Sequence, residues 1–344
     1  MERDVCLSRE LEIRQRPSKN MPRPPKPPPI DGILVVNKPS GKTSHDVVES
    51  VRQIAGFRGI GHLGTLDPLA TGVLVLALGK ATRLARFYSG RRKRYTCAVR
   101  FGFETDTYDA DGEALGPDQA PALDREQIEK LAAQFVGKIQ QTPPAYSAKK
   151  IKGTRAHELA RKEKPVNLEP VEVEVFEFRM LNLEGSIARF TVECGSGTYI
   201  RSLAYELGKL QGTGAHLSEI ERTAVGEFTI DHAISLDELQ ADARAGKLAE
   251  RVIRIENLLM DLPRATVLPI VEKRVRHGAK FNLSLAQIQP GKPSAAEGAP
   301  VELDAGEWKP ARLRVFNQQG QLVAIAEPVV PRTYQPVLVL EATP

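Results

Sequence analysis

Cysteine is scarce in this sequence, with Cys6, Cys97 and Cys194 the three such residues among 344. They are odd in number and far apart, so they support neither a disulfide framework nor a zinc site with C-x-x-C spacing. This scarcity argues against a small disulfide-held protein and fits a reducing compartment.

Long apolar runs are also missing. No run approaches the ~18–20 residues that a membrane-spanning helix needs. The first thirty residues also lack the apolar core of a secretion signal. We therefore expect a cytoplasmic protein without membrane contact.

Positive charge is present and clustered. The formal net charge is +5 with a pI near 9.0, and 41% of the residues are apolar. Cations gather at 91–94 and between Lys149 and Lys164, as expected of a surface that binds a polyanion. Charge alone also fits a merely basic soluble protein, so it narrows the class of partner without fixing it.

The composition and residue patterns of the chain predict three parts. Residues 1–29 are expected to be a disordered leader, because 16–29 are rich in proline and carry only positive charge. Residues 30–262 mix helical and strand patterns and predict one α+β domain. Residues 263–344 carry short apolar runs separated by proline and glycine, and predict a small β domain.

Several elements of the α+β domain can be predicted from their patterns. Ile33–Val36 is typical of a short buried strand, and Ser44 is a candidate cap for the helix that follows. Residues 95–103 alternate in a way that places Tyr95 at the start of a core-facing row. Thr198 is a candidate cap for a later helix with Arg201 in its first turn, where a cation is disfavoured unless a carboxylate lies nearby.

One glycine-rich loop, Gly61 to Gly72, holds a single carboxylate, Asp67. Asp67 is the only acid between Glu49 and Glu104, and cations follow it along the chain. The glycines let another chain approach the backbone closely. A surface turn is the plain alternative, but a lone acid among cations favours a working carboxylate.

The loop reads His62-x-Gly64-x-x-Asp67-Pro68-x-Ala70-x-Gly72-Val73-Leu74, which resembles the catalytic signature of the TruB family of tRNA pseudouridine synthases. Further motifs of that family follow in order at Asp31-Gly32-Ile33 with Asn37-Lys38-Pro39-x-Gly41-x-Thr43-Ser44, Lys93-Arg94-Tyr95, Thr105-Asp106-Thr107-x-Asp109-Ala110-Asp111-Gly112, Pro143-Pro144-x-Tyr146-Ser147-Ala148-x-Lys150, Gly197-Thr198-Tyr199-Ile200-Arg201-Ser202-Leu203, Gly214-Ala215-His216-Leu217 and Arg222-Thr223-x-Val225-Gly226. These ordered motifs span roughly 200 residues, far beyond what one motif could indicate.

The resemblance implies a fold and a reaction. It implies a pseudouridine-synthase-like mixed, largely antiparallel sheet with flanking helices, followed by a PUA-like RNA-binding domain. It implies isomerisation of uridine 55 in the T-loop of tRNA. The sequence itself gives no sign of an oligomer, so a monomer without an obligate protein partner is the default expectation. Because the reaction is neither a redox step nor dependent on external energy, we expect no cofactor and no metal.

The resemblance also implies roles for six residues. Asp67 would be the nucleophile, acting on the ribose or on the base, and Arg201 would orient it and lower its pKa. Tyr95 would face the target base, although a plain core tyrosine fits its pattern equally well. His62 would fill the gap left by the flipped base, Tyr199 would hydrogen-bond beside the nucleophile, and Ile220 would form a wall of the uracil pocket.

The sequence departs from the family pattern at three positions. Leu63 is larger than expected, Glu221 stands where a cation is common, and His157 stands where a tyrosine is common. None of these removes a proposed catalytic group, but Glu221 takes one cation from the RNA side.

Two other classes of function stay open at this point. A non-catalytic tRNA-binding or tRNA-folding module would need the basic surface but not Asp67. A glycosidic hydrolase would need a second positioned carboxylate, and Asp67 has no acidic neighbour in sequence.

Overall fold

The computed structural model describes residues 30–147, 149–151, 154–156, 168–292 and 312–341. The predicted leader 1–29, most of the cationic stretch 149–164 and His157 lie outside these residues.

Five α-helices lie wholly within the described residues: α1 (Ser44–Ala55), α2 (Arg125–Ala133), α3 (Ile200–Gln211), α4 (Leu236–Arg244) and α5 (Pro269–Arg276). None of them is long and apolar enough to cross a membrane. Short 3₁₀ helices include one at Gly79–Phe87.

Eighteen strands occur in the same residues. The first eleven are β1 (Gly32–Lys38), β2 (Ile60–His62), β3 (Thr71–Leu78), β4 (Lys93–Phe101), β5 (Gly137–Gln141), β6 (Lys150–Ile151), β7 (Thr154–Arg155), β8 (Val171–Glu184), β9 (Ile187–Cys194), β10 (Ala215–Val225) and β11 (Phe228–Thr229). The remainder are β12 (Ile253–Arg254), β13 (Arg264–Thr266), β14 (Phe281–Asn282), β15 (Ile288–Gln289), β16 (Leu313–Phe316), β17 (Leu322–Val330) and β18 (Thr333–Val339).

Ten strands form the large sheet, in the order β12-β1-β3-β10-β4-β9-β8-β5, with β2 also paired to β3 and β11 to β10. Its described pairs are antiparallel except for β3 and β10, which run parallel with Gly72 opposite Arg222. The predicted mixed, largely antiparallel sheet is confirmed. The parallel join brings the residues after the Asp67 loop beside the strand that carries Ile220.

Both faces of the large sheet are buried at β1 and β3, which explains the continuous apolar run at the start of β1. Leu34 and Val36 face a core that is covered by helices, whereas Ile33 and Val35 face a second core on the opposite side. The helix-side core also receives Tyr95, so the predicted core-facing row of β4 is confirmed.

A second sheet, in the order β14-β18-β17-β16-β13-β15, forms the small β domain that the short apolar runs predict. Phe316, Ile325 and Leu340 from this part of the chain join the second core of the large sheet. The small domain therefore packs directly on the large sheet and shares its core. The proposed boundary between residues 262 and 263 stays a prediction, because packing does not separate the two parts.

Candidate active site

One pocket of about 600 Å³ is lined by all six residues that the sequence singled out: His62, Asp67, Tyr95, Tyr199, Arg201 and Ile220. They come from β2, the loop after it, β4, the start of α3 and β10. The large sheet thus gathers residues up to 158 positions apart in the chain at one point.

The Asp67 loop is held from outside by the β1–α1 connection. Ser44 Oγ accepts a hydrogen bond from the Leu66 amide at 2.8 Å and donates to the Leu66 carbonyl at 3.1 Å. The fully buried Lys38 donates from Nζ to the Pro68 carbonyl at 3.1 Å. The prediction that Ser44 caps α1 is wrong, because Thr43 is the cap and Ser44 Oγ is occupied by the loop.

The same loop is held from inside by Arg222, a role that sequence reasoning missed. Arg222 is almost completely buried, and Nε donates to the Val73 carbonyl at 2.8 Å. Nη1 donates to the carbonyl of Thr65 at 3.2 Å, and Nη2 donates to that of Gly64 at 3.1 Å. The guanidinium therefore fixes the backbone on both sides of Asp67. The one sequence signal was its place in the last family motif.

Arg201 connects Asp67 to a second carboxylate. Its Nε lies 2.9 Å from Asp67 Oδ2, although the N–H does not point along a hydrogen bond, and its Nη1 lies 3.2 Å from Asp109 Oδ2. Nη1 also donates to the Thr107 carbonyl at 3.0 Å and Nη2 to the Tyr146 carbonyl at 2.9 Å. The carboxylate partner expected for a cation at this helix start is present, and the guanidinium is fixed by three chain segments.

Asp109 is the second residue that sequence reasoning missed. It is buried, and it accepts hydrogen bonds from Thr107 Oγ1 at 2.6 Å and from the Asp111 amide at 3.2 Å. The available signal was the acid-rich motif between Thr105 and Gly112, in which the sequence alone does not distinguish buried from exposed carboxylates.

The pKa of Asp67 is raised above its ordinary value. Burial is the main cause, and the Asp109 carboxylate adds to it, while Arg201 acts in the opposite direction. Arg201 lowers the pKa of Asp67, as expected, but desolvation outweighs this attraction and the net shift is upward. The Asp67 side chain nevertheless keeps 43% exposure towards the pocket, so it is accessible to a substrate.

Tyr95 and Tyr199 are held in place by different parts of the fold. Tyr95 is buried in the helix-side core and also lines the pocket, and burial raises the pKa of its hydroxyl to about 12. Tyr199 is the capping residue of α3, so the prediction of Thr198 as the cap is wrong. Gln141 fixes Tyr199 through both its backbone amide, at 2.8 Å, and its carbonyl, at 3.1 Å. Both tyrosines are neutral side chains at ordinary pH.

His62 and Ile220 complete the lining. His62 ends β2, and its buried Nδ1 has no hydrogen-bond partner among the described residues. Burial and the charge of Arg222 lower the pKa of the imidazole, so the ring is neutral near pH 7. Ile220 is anchored through its carbonyl, which accepts a hydrogen bond from Thr71 Oγ1 at 3.3 Å.

Comparison with known proteins gives the same architecture. A solved structure described as a Cbf5-Nop10-Gar1 complex shares 26% identity, covers 88% of this chain and 80% of its own chain, and has a TM-score of 0.64. The fold is that of the pseudouridine synthases, an α+β sheet domain with a PUA-like β domain after it.

Sequence comparison identifies the family within the pseudouridine synthases. Residues 52–200 match the N-terminal domain of TruB family pseudouridylate synthases, and residues 201–270 match the C-terminal domain of tRNA pseudouridylate synthase B. The tRNA pseudouridine synthase B of Solibacter usitatus (strain Ellin6076) is 42% identical over 90% of this chain and 100% of its own. That of Thermotoga maritima (strain ATCC 43589 / DSM 3109 / JCM 10099 / NBRC 100826 / MSB8) is 39% identical over 86% and 89%. The chain belongs to the TruB family.

Proposed function

We propose that this protein isomerises uridine to pseudouridine at position 55 in the T-loop of tRNA, with Asp67 as the nucleophile. The observation that carries the proposal is the position of Asp67, which lies 2.9 Å from Arg201 in a pocket whose lining also includes the aromatic and aliphatic side chains of Tyr95, Tyr199 and Ile220. A charged group beside flat apolar walls suits a uracil ring whose glycosidic carbon must react.

The reaction needs no co-substrate, because every atom of the product comes from the uridine. The bond between N1 of uracil and C1′ of ribose breaks, the ring turns, and a bond forms between C5 and C1′. The proton leaves C5, and N1 ends protonated, so atoms and charge balance without oxidation. As the glycosidic bond breaks, Asp67 would form a transient bond to the ribose or to the base, and that bond would break when C5 joins C1′. Arg201 would keep the carboxylate oriented.

The pocket walls have separate tasks in this proposal. Tyr95 offers a ring face for the uracil, and Ile220 offers an aliphatic surface opposite a base that must rotate. Tyr199 supplies a hydroxyl beside the nucleophile. His62, with a neutral ring, would replace the extruded uridine in the RNA stack.

The organisation around this site is also proposed from the sequence. Residues 30–262 would carry the chemistry, and the PUA-like part, 263–344, would add RNA contacts. The protein would act in the cytoplasm as a monomer without an obligate protein partner. Light scattering of the purified protein with and without tRNA tests the monomer.

The reaction is tested by tritium release from a tRNA transcript labelled at carbon 5 of uridine. The native protein should release tritium and leave pseudouridine in the T-loop, whereas Asp67→Asn should release none while binding the transcript. Asp237→Asn, an exposed aspartate on α4, is the matched control and should behave as the native protein does. Tight tRNA binding by the native protein without tritium release would instead favour a non-catalytic module, and release of free uracil would favour a hydrolase.

A further inference from the structure

Lys93 is a cation in the active pocket that the reaction described above does not use. It begins β4, and its neighbours Arg92 and Arg94 both pair with Glu193. Because side chains alternate along a strand, Lys93 points to the opposite side, where it lines the pocket. One N–H of its ammonium group donates to the Arg91 carbonyl at 3.0 Å, which leaves two others. Within the described ranges no carboxylate forms an ion pair with Lys93.

Arg222 adds a second charge beside Lys93 without neutralising it. Its hydrogen bonds go to three backbone carbonyls and to the Tyr95 hydroxyl, which are uncharged at ordinary pH and leave the positive charge of the guanidinium in place. Burial lowers the pKa of Lys93, and the charge of Arg222 lowers it further. Two desolvated cations side by side are costly, and an anion that enters between them would offset that cost.

Gly64 leaves room for such an anion. A Cβ atom at this position would lie 3.6 Å from Arg222 Nη1 and 3.9 Å from Lys93 Cε, so the space that a side chain would fill adjoins both of these side chains. Its φ of 140° is also one that side-chain-bearing residues rarely adopt. Without a side chain here, the wall between His62 and Asp67 is open to a group that approaches the two cations from the pocket.

The charged side chains of the pocket therefore form two separate groups. On one side Asp67 and Asp109 share Arg201, and on the other Lys93 and Arg222 have no acid partner among the described residues. A uracil ring is neutral and is accommodated by the apolar walls. The remaining anionic part of a nucleotide is its phosphate, which carries a permanent negative charge into any site that extrudes the nucleotide from a helix.

We propose that Lys93 binds a non-bridging oxygen of the phosphate attached to the target uridine, in a phosphate site formed by Lys93, Gly64 and Arg222. This inference rests on the proposed function, since it concerns the nucleotide that reacts. Lysine suits the task because its ammonium group is a compact charge with several donors. Arg222 contributes its charge, while three of its five N–H groups already donate to the carbonyls of Gly64, Thr65 and Val73. Binding the phosphate here would fix the ribose relative to Asp67.

The test combines a change in the protein with a change in the RNA. A T-arm stem-loop is prepared with a normal phosphate or an uncharged methylphosphonate on the 5′ side of the target uridine, and a third RNA carries the methylphosphonate on the 3′ side. Pseudouridine formation, as kcat/KM, is measured for the native protein, Lys93→Met and Lys93→Arg. Lys130→Met, an exposed lysine on α2, is the control for removal of a charge elsewhere.

One of the two methylphosphonates should lower kcat/KM of the native protein by roughly 10- to 100-fold, the effect of losing one hydrogen bond to a charged group. Lys93→Met should lose the same factor on normal RNA and nothing further on that methylphosphonate RNA. It should also reduce the slope of log affinity against log salt by about 1. Lys93→Arg, which keeps the charge, should stay sensitive to the methylphosphonate, and Lys130→Met should match the native protein.

Other outcomes would overturn the proposal. If Lys93→Met is as active as the native protein, or if its loss adds to that of each methylphosphonate, Lys93 does not bind the phosphate. Additive losses confined to kcat would instead indicate that the cation stabilises detached uracil. A native protein that makes no pseudouridine on normal RNA would refute the proposed function itself, which is a separate result. Thermal melting shows whether each variant is folded, and Lys93→Arg retains the test if Lys93→Met is not.

Discussion

Arg201 and Asp109 form an ion pair in which both side chains are only 6% exposed, with Nη1 3.2 Å from Oδ2. The same guanidinium lies beside Asp67, which is open to the pocket. Asp109 therefore fixes Arg201 from behind, while the opposite edge of the guanidinium meets the proposed nucleophile. Asp67 is exposed to the pocket and can meet a substrate, whereas Asp109 is buried and positions Arg201.

Asp109→Asn should lower kcat by roughly 10- to 100-fold, the effect of a small misplacement of a group that orients the nucleophile. It should also extend activity to lower pH, because the Asp109 charge raises the pKa of Asp67 and its removal lets that pKa fall. A pH profile of kcat for pseudouridine formation measures both effects. Asp111→Asn, an exposed aspartate two residues further on, is the control. An unchanged acid limb in Asp109→Asn would contradict the coupling between the two carboxylates.

Much of this arrangement could be predicted from the sequence because it depends on local pattern. The apolar run of β1 and the alternation of β4 predicted strands that the structure has, and the short runs after residue 263 predicted the second sheet. The ordered motifs, through family resemblance, selected six residues that line one pocket.

The parts that could not be predicted depend on partners far along the chain. Ser44 and Thr198 are good capping residues by type, but Ser44 Oγ is occupied by Leu66, 22 residues away. Arg222 donates to three backbone carbonyls, and every residue has a carbonyl, so no pattern of side chains marks these partners. The net pKa of Asp67 depends on how deeply the loop is buried, which is a property of the whole fold.

Asp67→Asn should stabilise the folded protein at neutral pH. Because the folded-state pKa of Asp67 is raised, the folded state binds more protons than the unfolded state between the two pKa values, and stability falls as the pH rises through that interval. Asparagine carries no charge at any pH, so it avoids this loss, and Arg201 keeps Asp109 as a partner. The gain should shrink as the pH falls towards the ordinary aspartate range near pH 4.

The measurement is the difference in Tm between Asp67→Asn and the native protein as a function of pH, which cancels the titration of other groups. Asp237→Asn provides the baseline for removing an exposed carboxylate. If Asp67→Asn melts below the native protein at pH 7, the ionised carboxylate contributes stability, and the predicted gain is wrong.

Arg222→Lys should destabilise the protein by roughly 2–4 kcal/mol, because an ammonium group cannot reach three carbonyls in different directions and leaves some without their charged donor. Loss of activity should accompany it, since the carbonyls belong to Gly64, Thr65 and Val73 around the Asp67 loop. Chemical denaturation and tritium release measure the two effects. Arg254→Lys, whose side chain is 78% exposed, is the matched control and should change stability by no more than about 0.5 kcal/mol.

Gly72→Ala should separate β3 from β10. A Cβ at Gly72 would lie 2.4 Å from the Arg222 carbonyl oxygen and 3.0 Å from the Arg222 amide nitrogen, both backbone atoms of the paired strand. The position also has a φ of 92°, so alanine is strained there as well as crowded. We expect a loss of at least about 3 kcal/mol in the free energy of unfolding.

Gly185→Ala separates crowding from strain. Gly185 also has a positive φ, 56°, but a Cβ there would meet no atom within 4 Å. It should cost only about 1–2 kcal/mol, the strain of the left-handed backbone alone, and should leave pseudouridine formation intact. Gly72→Ala should in addition reduce pseudouridine formation in the protein that remains folded. Asp67 lies five residues before Gly72, so a displaced β3 would also displace the nucleophile. Equal losses in the two variants would show that the parallel join tolerates a side chain, and that the Asp67 loop is positioned chiefly by Ser44, Lys38 and Arg222.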